Sequence, residues 1–193
     1  AKSNLEKTIL IIGAAGGVGS IATQLANHAG LTVIGTASRD ETIDWAKEHG
    51  AHHTINHHDA FRPQLEALGY KYVDYIFCLN ATDQHFETMV DVIAPQGKIC
   101  SIVETNQKLD LSALQQKSAT FVWEFMFTRP LFETEDMIRQ HEILTQVAAW
   151  IEEHTLETTV TQTLIGMNAD NLKEAHRLVE SGKTIGKIVV EHH

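Results

Sequence analysis

One segment constrains the fold of this chain more than any other: a short apolar run that leads through four glycines into a helical pattern. Residues 8–12, TILII, are continuous, apolar and rich in isoleucine, which is typical of a buried strand. After the glycines, apolar side chains recur at helical spacing, at Val18, Ile21, Leu25 and Ala29. The segment therefore predicts a strand, a glycine turn and a helix in direct succession.

Strands and helices continue to alternate up to about residue 155. Further strands are predicted at 31–35, 52–56, 72–79 and 98–103 and within 117–127, and helices at 40–49, 59–68, 84–93 and 134–154. Parallel strands need a crossover of about a dozen residues, which helices at this spacing provide. We therefore expect an α/β protein with a doubly wound Rossmann fold, in which helices cover both faces of a parallel six-stranded sheet.

The last part of the chain has a different character. Residues 158–166 indicate a half-exposed strand, 168–181 an amphipathic helix and 186–190 a final strand. Because the six-stranded sheet is complete before them, we expect these strands to lack a sheet of their own, which indicates that a partner domain is missing. We predict two units, a nucleotide-binding domain at 1–155 and a strand-helix-strand segment at 156–193.

The glycine turn predicts a dinucleotide site. Glycines between a strand and a helix let the backbone approach a pyrophosphate, which then meets free N–H groups at the helix N-terminus. The strict pattern G-x-G-x-x-G is not met, because Ala14 occupies its first glycine position, and the glycines present are Gly13, Gly16, Gly17 and Gly19. The alternative interpretation is a glycine-rich turn without a ligand.

The end of the second predicted strand indicates which dinucleotide is bound. NAD-binding proteins place a carboxylate about 20 residues after the glycines, but here Ala37 takes that position and Ser38 and Arg39 follow it. Both of these side chains can donate hydrogen bonds to a 2′-phosphate, so we expect NADPH. In the alternative interpretation Ser38 caps the next helix, with Glu41 completing a capping box, and Arg39 is solvated.

Composition argues against several other functions. The 15 basic and 25 acidic residues give a formal net charge of −10, which disfavours binding to nucleic acid or to an anionic membrane. Cys78 and Cys100 lie in apolar runs without metal-site spacing, so we expect buried thiols and a reducing, cytoplasmic location. A metal site among the histidines is the alternative, at His49, His52, His53, His57 and His58, but the spacing of zinc ligands is absent and no metal is predicted.

Four segments, in order, resemble the medium-chain dehydrogenase/reductase superfamily, and most closely its quinone oxidoreductase-like branch, often labelled zinc-type alcohol dehydrogenase-like: GAAGGVGSIATQLA, GTASRDETIDWAKEHGA, SATFVWEFMFTRPLF and LKEAHRLVESGKTIGKIVV. The resemblance implies a catalytic domain before the nucleotide domain, absent here, to which residues 156–193 return. It also implies a homodimer formed through an edge strand, and hydride transfer from NADPH to a quinone, enone or other carbonyl or alcohol substrate. The alternative is a non-catalytic NADPH-binding sensor or interaction module.

The resemblance also assigns cofactor-binding residues, one position at a time. It implies that Gly16, Gly17 and Val18, in the turn that Gly13 opens, contact the pyrophosphate, and that Ser38 and Arg39 face the 2′-phosphate. His57 stands where relatives have a tyrosine near that phosphate. Around the nicotinamide it places Asn80, Val103, Phe125 and Phe127, although an aromatic pair of this kind is as often part of the core. No catalytic residue is predicted.

Overall fold

The computed structural model describes residues 6–192, and strands and helices alternate along most of this range. The strands are β1 (Thr8–Ile12), β2 (Thr32–Thr36), β3 (His53–Ile55), β4 (Val73–Cys78), β5 (Ile93–Ser101), β6 (Thr120–Trp123), β7 (Val160–Ile165) and β8 (Lys187–Glu191). The α-helices are α1 (Gly17–His28), α2 (Asp40–Glu48), α3 (Phe61–Ala67), α4 (Thr82–Val92), α5 (Thr128–Phe132), α6 (Ile138–Glu152) and α7 (Ala169–Glu180). A short 3-10 helix spans Leu111–Lys117.

The first six strands form one parallel sheet in the order β3-β2-β1-β4-β5-β6. Leu10 in the centre of β1 pairs with Ile34 of β2 on one side and with Ile76 of β4 on the other. The chain runs outward from β1 to β3 and then returns to the opposite side of β1. A crevice therefore lies at the carboxyl ends of β1 and β4, where ligands of open α/β sheets bind. The predicted fold class is confirmed.

The two faces of the sheet are packed with side chains of different size. Alternate residues of β1 point to opposite faces. Leu10 and Ile12 belong to a large cluster with Ile, Phe and Met side chains of α3, α4 and the neighbouring strands. Ile11 belongs to a smaller cluster that is rich in alanine, including Ala26 of α1 and Ala46 of α2. Small side chains let α1 and α2 lie close to the sheet.

The C-terminal strands have a sheet of their own, so the expectation that they lack one is wrong. β7 and β8 pair in parallel and form a separate two-stranded sheet, because the 12-residue helix α7 supplies the crossover that a parallel pair requires. β7 is almost entirely exposed rather than half-exposed. The domain boundary at residue 155 remains a prediction. Residues 1–5 of the first predicted unit and residue 193 of the second lie outside the described part of the chain.

This C-terminal unit contacts the first unit through a few specific interactions. The Gln24 side chain of α1 accepts a hydrogen bond from Glu157 N at 2.7 Å and donates one to Glu157 O at 3.1 Å. Leu156 beside it is 2 % exposed. Farther along, Gly186 N donates to Ala15 O in the glycine turn at 2.9 Å.

Two local features differ from the sequence prediction. The helix predicted over 134–154 begins only at Ile138, because Asp136 holds the preceding turn by accepting hydrogen bonds from Thr134 at 2.7 Å and Arg129 at 3.0 Å. The 3-10 helix was not predicted, and it buries Leu114. Among the helices of residues 6–192, each is too short or too polar to cross a membrane.

The rates of amide hydrogen exchange should differ between the two sheets. We expect the amides of β8 to exchange faster than those of β1, because β8 has one strand neighbour and alternating exposure, whereas β1 is central and almost fully buried. Exchange followed by mass spectrometry on peptides covering residues 9–12 and 186–190 measures both. Equal protection of the two peptides would contradict this account of the C-terminal unit.

Candidate functional site

A cavity of about 630 Å³ lies at the carboxyl ends of the central strands. Its walls are the segments that follow β1, β2, β3 and β4, together with the loop between α7 and β8. The lining residues are Gly13, Ala15, Gly16, Gly17, Val18, Gly19, Thr36, Ala37, Ser38, Arg39, Thr42, His57, His58, Leu79, Asn80, Ser181, Gly182, Lys183, Thr184 and Lys187. The cavity therefore occupies the crevice that the strand order creates.

The glycine turn presents the N-terminus of α1 to this cavity. Gly16 is the N-cap, with extended backbone at φ −74° and ψ 175°, and no side chain caps the helix. The N–H groups of the first helical turn have no acceptor within the helix, and the helix dipole places partial positive charge at this end. The turn is therefore suited to bind an anion through its backbone.

Gly19 and Gly17 have different functions in this turn. A Cβ atom at Gly19 would lie 2.6 Å from Ala14 O and closer still to Gly13 O, so Gly19 permits the packing of α1 on the turn. A Cβ at Gly17 would instead meet the end of the Lys187 side chain, with Cε at 2.6 Å and Nζ at 2.8 Å. The backbone at Gly17 is therefore accessible from the cavity except where this flexible lysine covers it.

Lys183 and Lys187 are cavity residues that the sequence analysis missed. Both lie in the segment ESGKTIGK between α7 and β8, and both line the cavity. Two lysines in a glycine-containing loop were a visible signal, but only the docking of this loop on the glycine turn, through Gly186 N and Ala15 O, brings them to the site. The Lys187 ammonium then lies beside the N-terminus of α1.

The structure decides the alternative interpretation of Ser38. The N-cap of α2 is Arg39, and the Thr42 hydroxyl accepts from Arg39 N at 3.1 Å and donates to Arg39 O at 2.7 Å. Ser38 therefore does not cap the helix, and Glu41 completes no capping box with it. Ser38 lines the cavity.

The Arg39 side chain joins two segments that line the cavity. Its Nη2 donates to Lys183 O at 2.9 Å, and its Nε lies 3.3 Å from a carboxylate oxygen of Glu41. Arg39 thus connects the segment after β2 with the C-terminal loop. Its guanidinium keeps further N–H donors, so it can bind an anion inside the cavity as well.

Two histidines complete this end of the cavity. His57 and His58 follow β3, and their ring centroids are 4.3 Å apart. Burial lowers the pKa of His57, and the neighbouring His58 lowers it further. Burial also lowers the pKa of His85 on α4, and the charge of His57 lowers it further.

The permanently charged side chains that line the cavity all have the same sign. They are Arg39, Lys183 and Lys187, and the lining contains no aspartate or glutamate. The chain as a whole has 25 acidic and 15 basic residues, so the cavity is an electropositive site in an acidic protein. Such a site favours a ligand with several negative charges.

The opposite end of the cavity contains fewer of the predicted residues. Asn80 lines it directly after β4. Val103 lies outside the lining, where its carbonyl accepts from the Thr82 hydroxyl at 2.6 Å. Phe125 and Phe127 contact each other edge to face at 5.5 Å, are both about half exposed, and also lie outside the lining. They do not belong to the core of this chain.

Two of the histidines considered as an alternative metal site, His49 and His52, have other partners. His52 Nδ1 accepts from Val33 N at 3.0 Å, and His49 stacks on Trp45 at 3.9 Å between ring centroids. Within residues 6–192 no group of three or more His, Cys, Asp or Glu side chains is arranged to hold a metal ion. Cys78 is buried and Cys100 half-buried, both are free thiols, and burial raises the pKa of each.

This chain is similar to a protein family and to several known proteins. The model of the zinc-binding dehydrogenase family matches residues 49–190. A zinc-type alcohol dehydrogenase-like protein of Staphylococcus aureus strain MRSA252 is 47% identical over 187 residues, which are 97% of this chain and 56% of the relative. A quinone oxidoreductase of Pseudomonas aeruginosa is 35% identical over 129 residues, covering 64% of this chain and 38% of its own length.

Solved structures agree with these relationships. A crystal structure from Rhizobium etli CFN 42, described as a zinc-dependent alcohol dehydrogenase, has a TM-score of 0.92 and 45% identity, covering 96% of this chain and 54% of its own. The Escherichia coli quinone oxidoreductase complexed with NADPH has a TM-score of 0.80 at 22% identity, covering 96% and 57%, which supports the fold alone. This chain thus spans about half the length of the relatives it matches.

Alanine substitutions at Gly19 and Gly17 should have different effects on folding. We expect Gly19→Ala to lower the free energy of unfolding by about 1–3 kcal/mol or more, because its Cβ would overlap backbone atoms of the turn. Gly17→Ala should have a much smaller effect, because the Lys187 side chain can move aside. Urea unfolding of both variants measures the difference, and equal losses would contradict the packing described here.

Proposed function

The chain belongs to the zinc-binding dehydrogenase family, and we propose that it is the cofactor-binding part of an NADPH-dependent oxidoreductase. The observation that carries this proposal is the cavity without a carboxylate, lined by Arg39, Lys183 and Lys187 at the end of a Rossmann sheet. An NAD site would have an acidic residue at position 37, where this chain has a buried alanine.

The cavity residues fit each anionic part of NADPH. The pyrophosphate would meet the N–H groups at Gly16, Gly17 and Val18 from one side and the Lys187 ammonium from the other. The 2′-phosphate would accept hydrogen bonds from Ser38 and Arg39.

The remaining assignments follow from the positions along the cavity. His57 lies at the 2′-phosphate end. The nicotinamide would lie toward Asn80, with Val103, Phe125 and Phe127 beyond it. NADPH supplies a hydride when it is bound, and the residues of this chain hold and orient it.

The zinc in the family's description finds no set of ligands among residues 6–192. The two cysteines are separated in the sequence and lack the ligand spacing of structural zinc sites. We therefore assign no step of the reaction to a metal held by these residues.

We propose a quinone, an enone or another carbonyl or alcohol compound as the substrate. The names of the similar proteins, a quinone oxidoreductase and alcohol dehydrogenases, support this class. The exposed rings of Phe125 and Phe127 support a substrate site that residues outside this chain complete.

We also propose that the protein is a cytoplasmic homodimer that pairs through β6. This strand is at the edge of the sheet. It exposes the apolar side chains of Val122 and Trp123, and edge strands of this kind favour association.

Substitutions at two cations of the cavity should distinguish the residue that binds the 2′-phosphate from the residue that binds the pyrophosphate. We expect Arg39→Ala to weaken NADPH binding by about 10- to 150-fold and to leave NADH almost unchanged, because only NADPH has a 2′-phosphate. Lys187→Ala should weaken both cofactors by a similar factor, because both contain the pyrophosphate. Fluorescence titration of the two variants with both cofactors measures these effects. An equal loss of NADPH and NADH in Arg39→Ala would remove Arg39 from the phosphate site.

The activity should depend on residues beyond this chain. We expect the 193-residue chain to bind NADPH but not to oxidise it with quinones, enones or aldehydes. The chain spans 56% of the Staphylococcus aureus relative, and we propose that the other part of such a protein supplies one wall of the substrate site. The full-length Staphylococcus aureus relative, assayed in parallel, should oxidise NADPH with at least one of these compounds. Turnover by the 193-residue chain would contradict the incomplete substrate site, and an inactive relative would contradict the substrate class.

A further inference from the structure

The end of the cavity that faces the proposed 2′-phosphate contains two histidines as well as the permanent cations. His57 and His58 both line the cavity, on the segment after β3, near Ser38 and Arg39 on the segment after β2. Their rings are tilted at 53° with centroids 4.3 Å apart. Two adjacent imidazoles repel each other when both are protonated, so the pair takes up one proton more readily than two.

The segment that carries these histidines is held by hydrogen bonds. His58 N donates to the Asn56 side chain at 2.9 Å. Gln64 of α3 accepts from Asn56 N at 2.8 Å and donates to Asn56 O and Ala60 O, both at 3.0 Å. The two imidazoles are therefore attached to a fixed backbone, and an anion can bind to them with little reorganisation of this segment.

The charged groups around His57 come from every neighbouring element. His58 and Asp59 lie on its own segment, and His85 lies on α4. Arg39 and its partner Glu41 follow β2. Lys183 and Lys187 come from the C-terminal part of the cavity wall. The two carboxylates in this set are exposed and outside the cavity lining. Without a ligand, partial burial and the neighbouring His58 favour the neutral form of His57.

We propose that the His57–His58 pair takes up a proton when the 2′-phosphate of NADPH binds, so that the preference for NADPH over NADH increases as the pH falls. This inference rests on the NADPH site proposed above. A dianionic phosphate favours the charged imidazole and raises its pKa. The proton comes from solvent and remains on the imidazole, and no other bond changes.

The sign of the pH dependence follows from this linkage. The pKa of His57 without ligand is lowered, and the bound phosphate raises it. Between these two pKa values the complex holds one more proton than the free protein, so affinity increases as the pH falls through that window. For one proton, the ratio of the affinity for NADPH to the affinity for NADH changes by at most about tenfold per pH unit.

Adenosine 2′,5′-bisphosphate and adenosine 5′-monophosphate are suitable probes, because they differ only in the 2′-phosphate and carry no hydride. The number of protons taken up is obtained by calorimetry at pH 7.5 in two buffers with different ionisation enthalpies. At this pH the phosphate, whose second pKa is about 6, is almost fully ionised before it binds. The comparison is between the unmodified chain, a His57→Gln/His58→Gln double variant and the control variant His28→Gln, whose ring packs against Trp150 outside the cavity.

We expect the unmodified chain and His28→Gln to take up more protons with the bisphosphate than the double variant does. The affinity ratio of bisphosphate to monophosphate should also rise more steeply toward low pH in these two proteins. NMR titration of the histidine ring protons in the unmodified chain gives the pKa values with and without bisphosphate, and does not depend on the folding of a variant.

Two results would overturn the inference. Equal proton uptake in the unmodified chain and the double variant, or ring pKa values that the bisphosphate leaves unchanged, would exclude the histidine pair while leaving the NADPH site intact. No preference of the unmodified chain for the bisphosphate over the monophosphate would instead contradict the NADPH site itself, and the proton linkage with it.

Discussion

The close approach of α1 to the glycine turn determines the geometry of the cavity. Gly19 packs against the carbonyl groups of Gly13 and Ala14 at a distance that admits no side chain. The same face of the sheet is packed with alanines, including Ala26 and Ala46, so both helices on this face lie close to the strands. The N-terminus of α1 is thereby held at the strand ends, where its free N–H groups face the cavity instead of bulk solvent.

The positive charge of the cavity is assembled from parts of the chain that are far apart in sequence. Arg39 follows β2, His57 follows β3, and Lys183 and Lys187 precede or begin β8. The carboxylate of Glu41 lies outside, on the exposed side of Arg39. A cationic cavity of this size in an acidic protein is suited to a small anionic ligand.

Sequence patterns predicted the sheet well, because they depend on local periodicity. The strand at Thr8–Ile12 and the helix after it needed only the apolar spacing and the glycines. Ser38 was ambiguous, since serine followed by Glu41 also suits a helix cap, and only the observed N-cap at Arg39 resolves this. Lys187 was missed, because its place at Gly17 depends on the docking of a loop about 170 residues away in the sequence. Local patterns contain no information on such a contact.

The C-terminal loop is a wall of the cavity rather than an appendage. Gly186 N donates to Ala15 O, and Arg39 donates to Lys183 O, so the loop is attached to the turns after both β1 and β2. The rest of its unit consists of β7, β8 and α7, and none of these elements contains a fully buried residue. An anionic ligand that contacts the helix N-terminus and Lys187 together would bridge the two units. Because it binds only when both are in place, it stabilises their docking by mass action. Binding of such a ligand and attachment of the C-terminal segment would therefore be coupled through the same few contacts.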